Sequence, residues 1–343
     1  MRKFNGYKKG VNLGGWLSQC GAGNYNAAHY DTFITEKDIE RIASWGVDHV
    51  RLPVDFHLFQ NIDFTFNESG LEYIDRCIGW CGKYGLDMVL DLHKTMGYIF
   101  DDKAYCRFFF DESLQDNFVR VWEMLTRRYG QYSSRVSFEL LNEITEREFA
   151  EKWNKISHRT IDAIRAINKD VKIIIGGIYN SSIDGLELLE KPADENIVFT
   201  FHCYSPMIFT HQGAEWVDKM PSDIRVNYPE KISGLKRQSH DVFGGDFDGE
   251  FIDSETLIGT GFFERLLEKA IAIGEKYDVP LYCGEYGVID TASAEDTVKW
   301  FEDINAAFTH CNIPRCVWTY RSMNFGIADE HYAGILHDLI KLL

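Results

Sequence analysis

The sequence predicts an α/β protein, a single (β/α)8 TIM barrel over residues 1–343, and three observations carry that prediction. Short apolar runs alternate with longer amphipathic segments almost from end to end. The runs are near-continuously hydrophobic, as parallel strands covered by helices on both faces must be. There are eight of them, the number that closes a barrel, and a chain of 343 residues that is 45% hydrophobic can fill its core. An open doubly wound sheet is the alternative, but no Gly-x-Gly-x-x-Gly phosphate turn follows the first run.

The candidate strands are residues 10–17, 47–54, 86–93, 136–143, 171–177, 196–206, 279–288 and 315–321. Between them, Thr35-Glu-Lys-Asp38 reads as a capping-box opening to a helix. Residues 111–129 and 147–168 repeat apolar side chains at three- and four-residue spacing, the mark of a half-buried helix. Gly46, Gly85 and Gly130 stand where C-terminal helix caps are expected. One interval is out of step. Residues 207–253, between the sixth strand and a helix expected to begin near Ser254, are rich in glycine, aspartate and aromatics, including Phe209, Trp216, Tyr228, Phe243, Phe247 and Phe251. Such an excursion inside a compact domain reads as an insertion subdomain, a lid or a binding loop.

Composition narrows the partners. The charge balance is 36 − 53 = −17 and no long basic run exists, which argues against nucleic acid as a partner. The amino terminus, Met1-Arg-Lys-Phe-Asn-Gly-Tyr-Lys-Lys9, has no apolar stretch behind its charges, and no run approaches a membrane span. A cytoplasmic protein with no membrane partner is expected. None of the eight cysteines forms a Cys-x-x-Cys pair, so free thiols in a reducing compartment are expected rather than disulfides or zinc.

The chemistry-bearing residues sit at strand ends. Glu143 closes Val136-Ser-Phe-Glu-Leu-Leu-Asn-Glu143, and Glu285 stands in Leu281-Tyr-Cys-Gly-Glu-Tyr-Gly287. Each alone reads equally well as an ordinary strand-end acid in a salt bridge. Together they match glycosidic hydrolysis, which needs one carboxyl to protonate the leaving oxygen and another to stabilise or attack the sugar carbon. Barrel enzymes place their chemistry at the C-terminal strand ends. The other ends here read His49-Val-Arg51-Leu-Pro53, Asp91-Leu-His93, His202-Cys-Tyr204 and Trp318-Thr-Tyr320. Singly, a histidine or tryptophan there is a core residue; as a set they form a sugar-binding complement.

The set Val50-Arg-Leu-Pro53, Leu140-Leu-Asn-Glu143, Phe201-His-Cys-Tyr204 and Gly284-Glu-Tyr-Gly287, with the opening Gly10-Val-Asn-Leu-Gly-Gly-Trp16, resembles glycoside hydrolase family 5. Longer stretches, such as Tyr30-Asp-Thr-Phe-Ile-Thr-Glu-Lys-Asp-Ile39 and Phe209-Thr-His-Gln212, are similar in members that cut β-1,4-glucan. The resemblance covers essentially the whole chain. It implies a retaining double displacement with Glu143 as acid/base and Glu285 as nucleophile. It also implies that Arg51, His93, Asn142, His202, Tyr204 and Trp318 line the subsite of the sugar being cleaved. Residues 18–26 and 59–67 depart from the family pattern, and such loops shape the outer subsites.

The substrate expected from the resemblance is a soluble β-glucan or cello-oligosaccharide, cut internally. Exo-acting β-glucosidase, β-1,3-glucanase and β-mannanase action on the same site are the alternatives. The insertion, through Phe209, His211 and Trp216, is expected to wall the cleft and offer an outer stacking surface. No cofactor and no metal are expected. A metal-dependent hydrolase using Asp91, His93, Glu143, His202 and Glu285 is the first rival, but its His-x-His pair near the first strand is missing. A non-catalytic carbohydrate-binding barrel is the second.

Overall fold

The structure, a computed structural model, describes residues 1–343 apart from Lys103 and Asp253. Eight parallel strands close a barrel in sequential order: β1 (Lys9–Asn12), β2 (His49–Asp55), β3 (Asp87–Lys94), β4 (Val136–Glu139), β5 (Ile173–Ile175), β6 (Ile197–His202), β7 (Leu281–Tyr286) and β8 (Arg315–Val317). All eight coincide with the runs expected from sequence, but several ladders stop early. Residues 140–143 carry the chain on from β4, with the Leu140 N–H bonded to the Ile174 carbonyl and the Asn142 N–H to that of Leu92, and bring Asn142 and Glu143 to the mouth.

The outer layer includes the helices Glu36–Ala43, Glu68–Tyr84, Glu112–Tyr129, Ala150–Ile167, Thr260–Tyr277 and Ala294–His310. Thr35 and Asp38 form the expected capping box, and Asn67, Asp111 and Ser293 cap later helices with their side chains. Gly85 is a left-handed cap at φ 76°, whereas Gly130 keeps a right-handed φ of −58° as the chain runs on into a 3-10 turn. The fifth unit has no full helix; a four-residue turn and the 3-10 segment Ile183–Leu188 cover that face.

Three helix tryptophans tie this layer to the strand ends. Trp122 donates to the Leu140 carbonyl at 3.1 Å, Trp153 to Gly176 at 3.0 Å and Trp300 to Ser205 at 3.0 Å. Each ring is buried, so each bond satisfies both its N–H and a carbonyl that has left the ladder. The chain just before Glu143 and just after His202 is thereby fixed.

Of the 207–253 excursion, Asp253 lies outside the described residues; the rest contains the helix Ile232–Phe243, and the following helix begins at Thr260 rather than near Ser254. Its apolar residues Ile208, Phe209, Tyr228, Leu235 and Phe243 join the main core instead of forming one of their own. All eight cysteines are free. Among the described residues, no helix is long and apolar enough to cross a membrane.

Candidate active site

The barrel floor is closed by aromatic and hydroxyl groups. Tyr7 stacks on Phe4, Ser137 donates to the Tyr7 oxygen at 2.8 Å, and His49 bridges Asp48 and Tyr282 at 2.7 and 2.9 Å. His49, grouped with the mouth residues by sequence, therefore belongs to the floor, two residues below Arg51 on the same face of β2.

Arg51 occupies the barrel axis above that floor, fully buried. It donates to Glu139 Oε2 at 2.7 Å and Oε1 at 3.0 Å, to Asn12 Oδ1 at 3.0 Å, to Asn142 Oδ1 at 2.8 Å and to Glu285 Oε1 at 2.8 Å. Asp91 Oδ2 lies 3.0 Å from Nη2. Burial alone would disfavour the charged guanidinium, but Asp91, Glu139 and Glu285 outweigh it and hold its pKa well above the ordinary value. One cation thus organises acids and amides drawn from β1, β3, β4, β7 and the chain beyond β4.

Glu285 owes its inward aim to a register shift in β7. Phe201 pairs with Cys283, yet His202 pairs with Glu285, so the ladder skips Gly284. A Cβ at Gly284 would lie 3.0 Å from Thr200 Oγ1 and 3.3 Å from His202 Nε2, closer than a side chain packs there. Asn12 Nδ2 donates to the Gly284 carbonyl at 2.9 Å and fixes the bulge. The two Glu285 oxygens are divided between Arg51 and the Tyr204 hydroxyl, which donates to Oε2 at 2.9 Å. Burial first, and then the Glu285 charge, push the Tyr204 pKa far up, so it remains a donor.

Glu143 lies opposite. An oxygen of Glu143, one of Glu285 and a nitrogen of His202 all fall within 4.8 Å of one another. Burial, with help from Asp101 and Glu139 and against the pull of Arg51, raises the Glu143 pKa to about 8. Its Oε1 lies 2.7 Å from His202 Nδ1. Burial lowers the His202 pKa, so the ring is neutral, and its Nε2 is buried without a partner. A bare ring lone pair tolerates that isolation better than an unpaired N–H, which places the His202 proton on Nδ1, donated to Glu143 Oε1. A proton on Glu143 would then sit on its other oxygen, Oε2.

Asp91 and His93 form a second pair at 2.6 Å. Burial raises the Asp91 pKa to about 7 and, with Arg51, lowers that of His93 to about 3. The His93 ring lies parallel to Trp318, centroids 5.7 Å apart. Trp318 in turn packs over Gly14, where a Cβ would meet its ring at 2.8 Å. Asn142 has its oxygen fixed by Arg51, which leaves its amide N–H groups to face the mouth.

Eight of the sequence-predicted residues therefore converge: Glu143, Glu285, Arg51, His93, Asn142, His202, Tyr204 and Trp318. Trp216 stands at the rim, 57% exposed, with its ring 6.4 Å from Phe325, which packs against Trp318. Phe209 does not belong with them. It is wholly buried against Tyr228, with ring centroids 5.1 Å apart, because the helical turn Met207–Thr210 directs it into the core rather than the cleft. His211, two residues on, does face the site, with its ring 4.9 Å from Tyr204. Sequence reasoning missed Glu139 and Asn12. A carboxylate in the middle of an apolar strand, on the same face as Ser137, was the available signal for Glu139.

The grouped Glu143, His202 and Glu285 are the one cluster of acids, histidines or cysteines among the described residues with metal-like spacing. Glu285 already receives two strong donors, and the adjacent guanidinium opposes a second cation. Asp91 and His93 are committed to each other and to Arg51. The donor set suits proton transfer and carboxylate chemistry better than metal binding.

Comparison with known proteins gives the lineage. The model of the cellulase family (glycosyl hydrolase family 5) matches residues 7–324. Cellodextrinase A of Ruminococcus flavefaciens is 43% identical over 316 residues, covering 92% of this chain and 86% of that protein. Endoglucanase C of Acetivibrio thermocellus is 39% identical over 344 residues, 98% of each. Among solved structures, endoglucanase Cel5A of Thermotoga maritima superposes with a TM-score of 0.75 at 24% identity, covering 98% of this chain and 96% of that one.

Proposed function

The chain belongs to the cellulase family, glycosyl hydrolase family 5, and on that premise we propose that it cuts β-1,4-glucosidic bonds of soluble β-glucans or cello-oligosaccharides by a retaining double displacement. It is a glycoside hydrolase; the linkage, the stereochemistry and the residue roles are the proposal. One observation carries it. Two carboxylates, one just beyond β4 and one on β7, lie within 4.8 Å of each other, the first with its pKa raised by burial and the second tied to an arginine and a tyrosine. Retaining glycosidases hold their carboxyl groups about 5–5.5 Å apart, whereas inverting ones leave room for a water between.

The steps follow from the contacts. Glu285 attacks the anomeric carbon, its charge stabilised by Arg51 and its orientation by Tyr204. Glu143 gives the proton on Oε2 to the departing sugar while His202 holds Oε1. Consuming the Glu285 charge in the glycosyl-enzyme removes a repulsive neighbour, so Glu143 ionises and activates the incoming water. The Asn142 amide meets the sugar 2-hydroxyl, a contact that strengthens in the oxocarbenium-like transition state. Trp318 gives the pyranose a flat apolar face and His93 flanks its hydroxyls, whereas His202, its Nδ1 given to Glu143 and its Nε2 buried, positions the acid. Trp216, from the 207–253 insertion, extends the cleft wall outward.

The test is a substrate panel of cellopentaose, laminaripentaose, mannopentaose and mixed-linkage glucan, with product lengths followed over time and the first-formed anomer read by proton NMR. Cleavage of cellopentaose and mixed-linkage glucan with a β-anomer appearing first is expected. A first-formed α-anomer would remove the double displacement, and exclusive cleavage of the laminari- or manno-oligosaccharide would remove the substrate class.

A further inference from the structure

The turn after β5 contains an uncommon run of backbone. Tyr179, Asn180 and Ser181 follow one another at φ 55°, 53° and 51°, two residues beyond a Gly177 at φ 88°. The left-handed region crowds the Cβ of an L-residue, so non-glycine residues visit it singly and seldom in succession. Such a run persists where the surroundings impose it, and strain of this kind gathers at functional sites.

Here the surroundings are the chain on either side of Glu143. The Ile144 N–H donates to the Gly177 carbonyl at 2.6 Å, and the Asn180 N–H donates to the Ile144 carbonyl at 2.9 Å. Between those bonds Ile178 pairs with Ile144 as a parallel bridge. On the other side of Glu143, the Ser181 hydroxyl donates to the Asn142 carbonyl at 3.1 Å, with both residues buried. A Cβ on Gly177 would lie 2.7 Å from that same carbonyl oxygen, so the turn and Asn142 are pressed together. One turn thus holds the residue before the glutamate and the residue after it.

Three clamps set Asn142. Its N–H bonds the Leu92 carbonyl of β3 at 3.2 Å, its Oδ1 accepts from Arg51 of β2 at 2.8 Å, and its carbonyl accepts from Ser181. Among the described residues no backbone N–H donates to that carbonyl, so the serine hydroxyl fills a place the sheet does not. A buried carbonyl without its donor costs about as much as a lost hydrogen bond, and a tilt of the peptide toward another donor is the natural relief. Arg51 fixes only the far end of the amide. The aim of its N–H groups depends as well on where the peptide that bears it is held.

Resting on the glycosidase reading above, we propose that Ser181 is a positioning residue for Asn142. Its hydroxyl, turned inward by the left-handed run, sets where the Asn142 amide meets the 2-hydroxyl of the sugar being cleaved. The short strained turn that stands in place of a fifth helix is then part of the apparatus that aims the amide.

The test compares an aryl β-cellobioside with its analogue lacking the 2-hydroxyl on the cleaved sugar. The readout is the ratio of the two kcat/KM values. Ser181→Ala should slow the hydroxylated substrate about tenfold and the deoxy analogue far less, so that the ratio shrinks. Ser181→Cys, which keeps a weak donor, should restore part of it. A merely structural serine would slow both substrates alike; that result, or no loss on either, would overturn the assignment and leave the glycosidase reading intact. Should the alanine variant not fold, Ser181→Cys decides alone: a ratio about threefold smaller supports the assignment and an unchanged ratio overturns it. If the unmodified enzyme cleaves neither substrate, the glycosidase reading itself fails and the assignment falls with it.

Discussion

Glu139 closes both carboxylate oxygens on the Arg51 guanidinium, 2.7 Å from Nε and 3.0 Å from Nη2, with neither side chain reaching water. Breaking one half of a buried ion pair strands the other half, at a typical cost of about 3–5 kcal/mol. Arg51 keeps Asp91 and Glu285, so Glu139→Gln is expected at the lower end, about 3 kcal/mol by urea unfolding. The rate should suffer as well, since Arg51 aims Glu285 and Asn142. A fall in kcat with little change in KM is the expected signature, and an unaltered kcat would restrict Glu139 to a structural part.

Activity should decline as pH rises through about 8, the range to which burial lifts Glu143, because the leaving sugar needs that proton. Stability moves in the same direction. Between the ordinary carboxylate range and about pH 8 the folded chain retains the Glu143 proton that the unfolded chain has lost, so stability falls with rising pH and then levels. Asp91, raised to about 7, adds to that slope. Melting temperatures from pH 5 to 9 measure it, and Glu143→Gln should flatten part of the curve. A melting temperature that climbs over that interval would contradict the assignment.

For Glu143→Ala, turnover of substrates with poor leaving groups should drop by about 10²–10⁴. Azide should restore turnover of an activated aryl glycoside and yield a β-glycosyl azide. Glu285→Gln should abolish the glycosyl-enzyme even with an activated leaving group. An α-azide product from the first variant would show that the two glutamates have been interchanged.

Gly14→Ala probes the tryptophan from beneath. The added methyl would come within 2.8–2.9 Å of the Trp318 ring and 3.1 Å of Thr319 Oγ1, so the ring must tilt. Overpacking of this kind costs about 1–3 kcal/mol. A larger KM at similar kcat is expected, checked by steady-state kinetics alongside a thermal melt.

Much of this was legible in the chain because parallel strands buried on both faces betray themselves as apolar runs. Glu143 and Glu285 were legible for the opposite reason, as charges where such runs end. The misplacements share a cause: sequence shows that a residue is apolar or charged, not which way it faces. Phe209 was read as a cleft aromatic, yet the short turn that holds it points inward. His49 was grouped with Arg51, although two residues along a strand separate the floor from the mouth. Glu139 was passed over because an acid inside a barrel becomes intelligible only once Arg51 is seen across from it. The fifth unit, where Ile178–Ser181 and Ile183–Leu188 stand in place of a full helix, was not singled out in the sequence.

The acid pair and its arginine hang from strands and the chain just beyond them, whereas residues 18–26 are gathered by Asp55 and touch the central residues through Gln19 and His93. A graft replacing that stretch therefore disturbs a neighbour of the acid pair unless Gln19 and the anchoring acid are both retained.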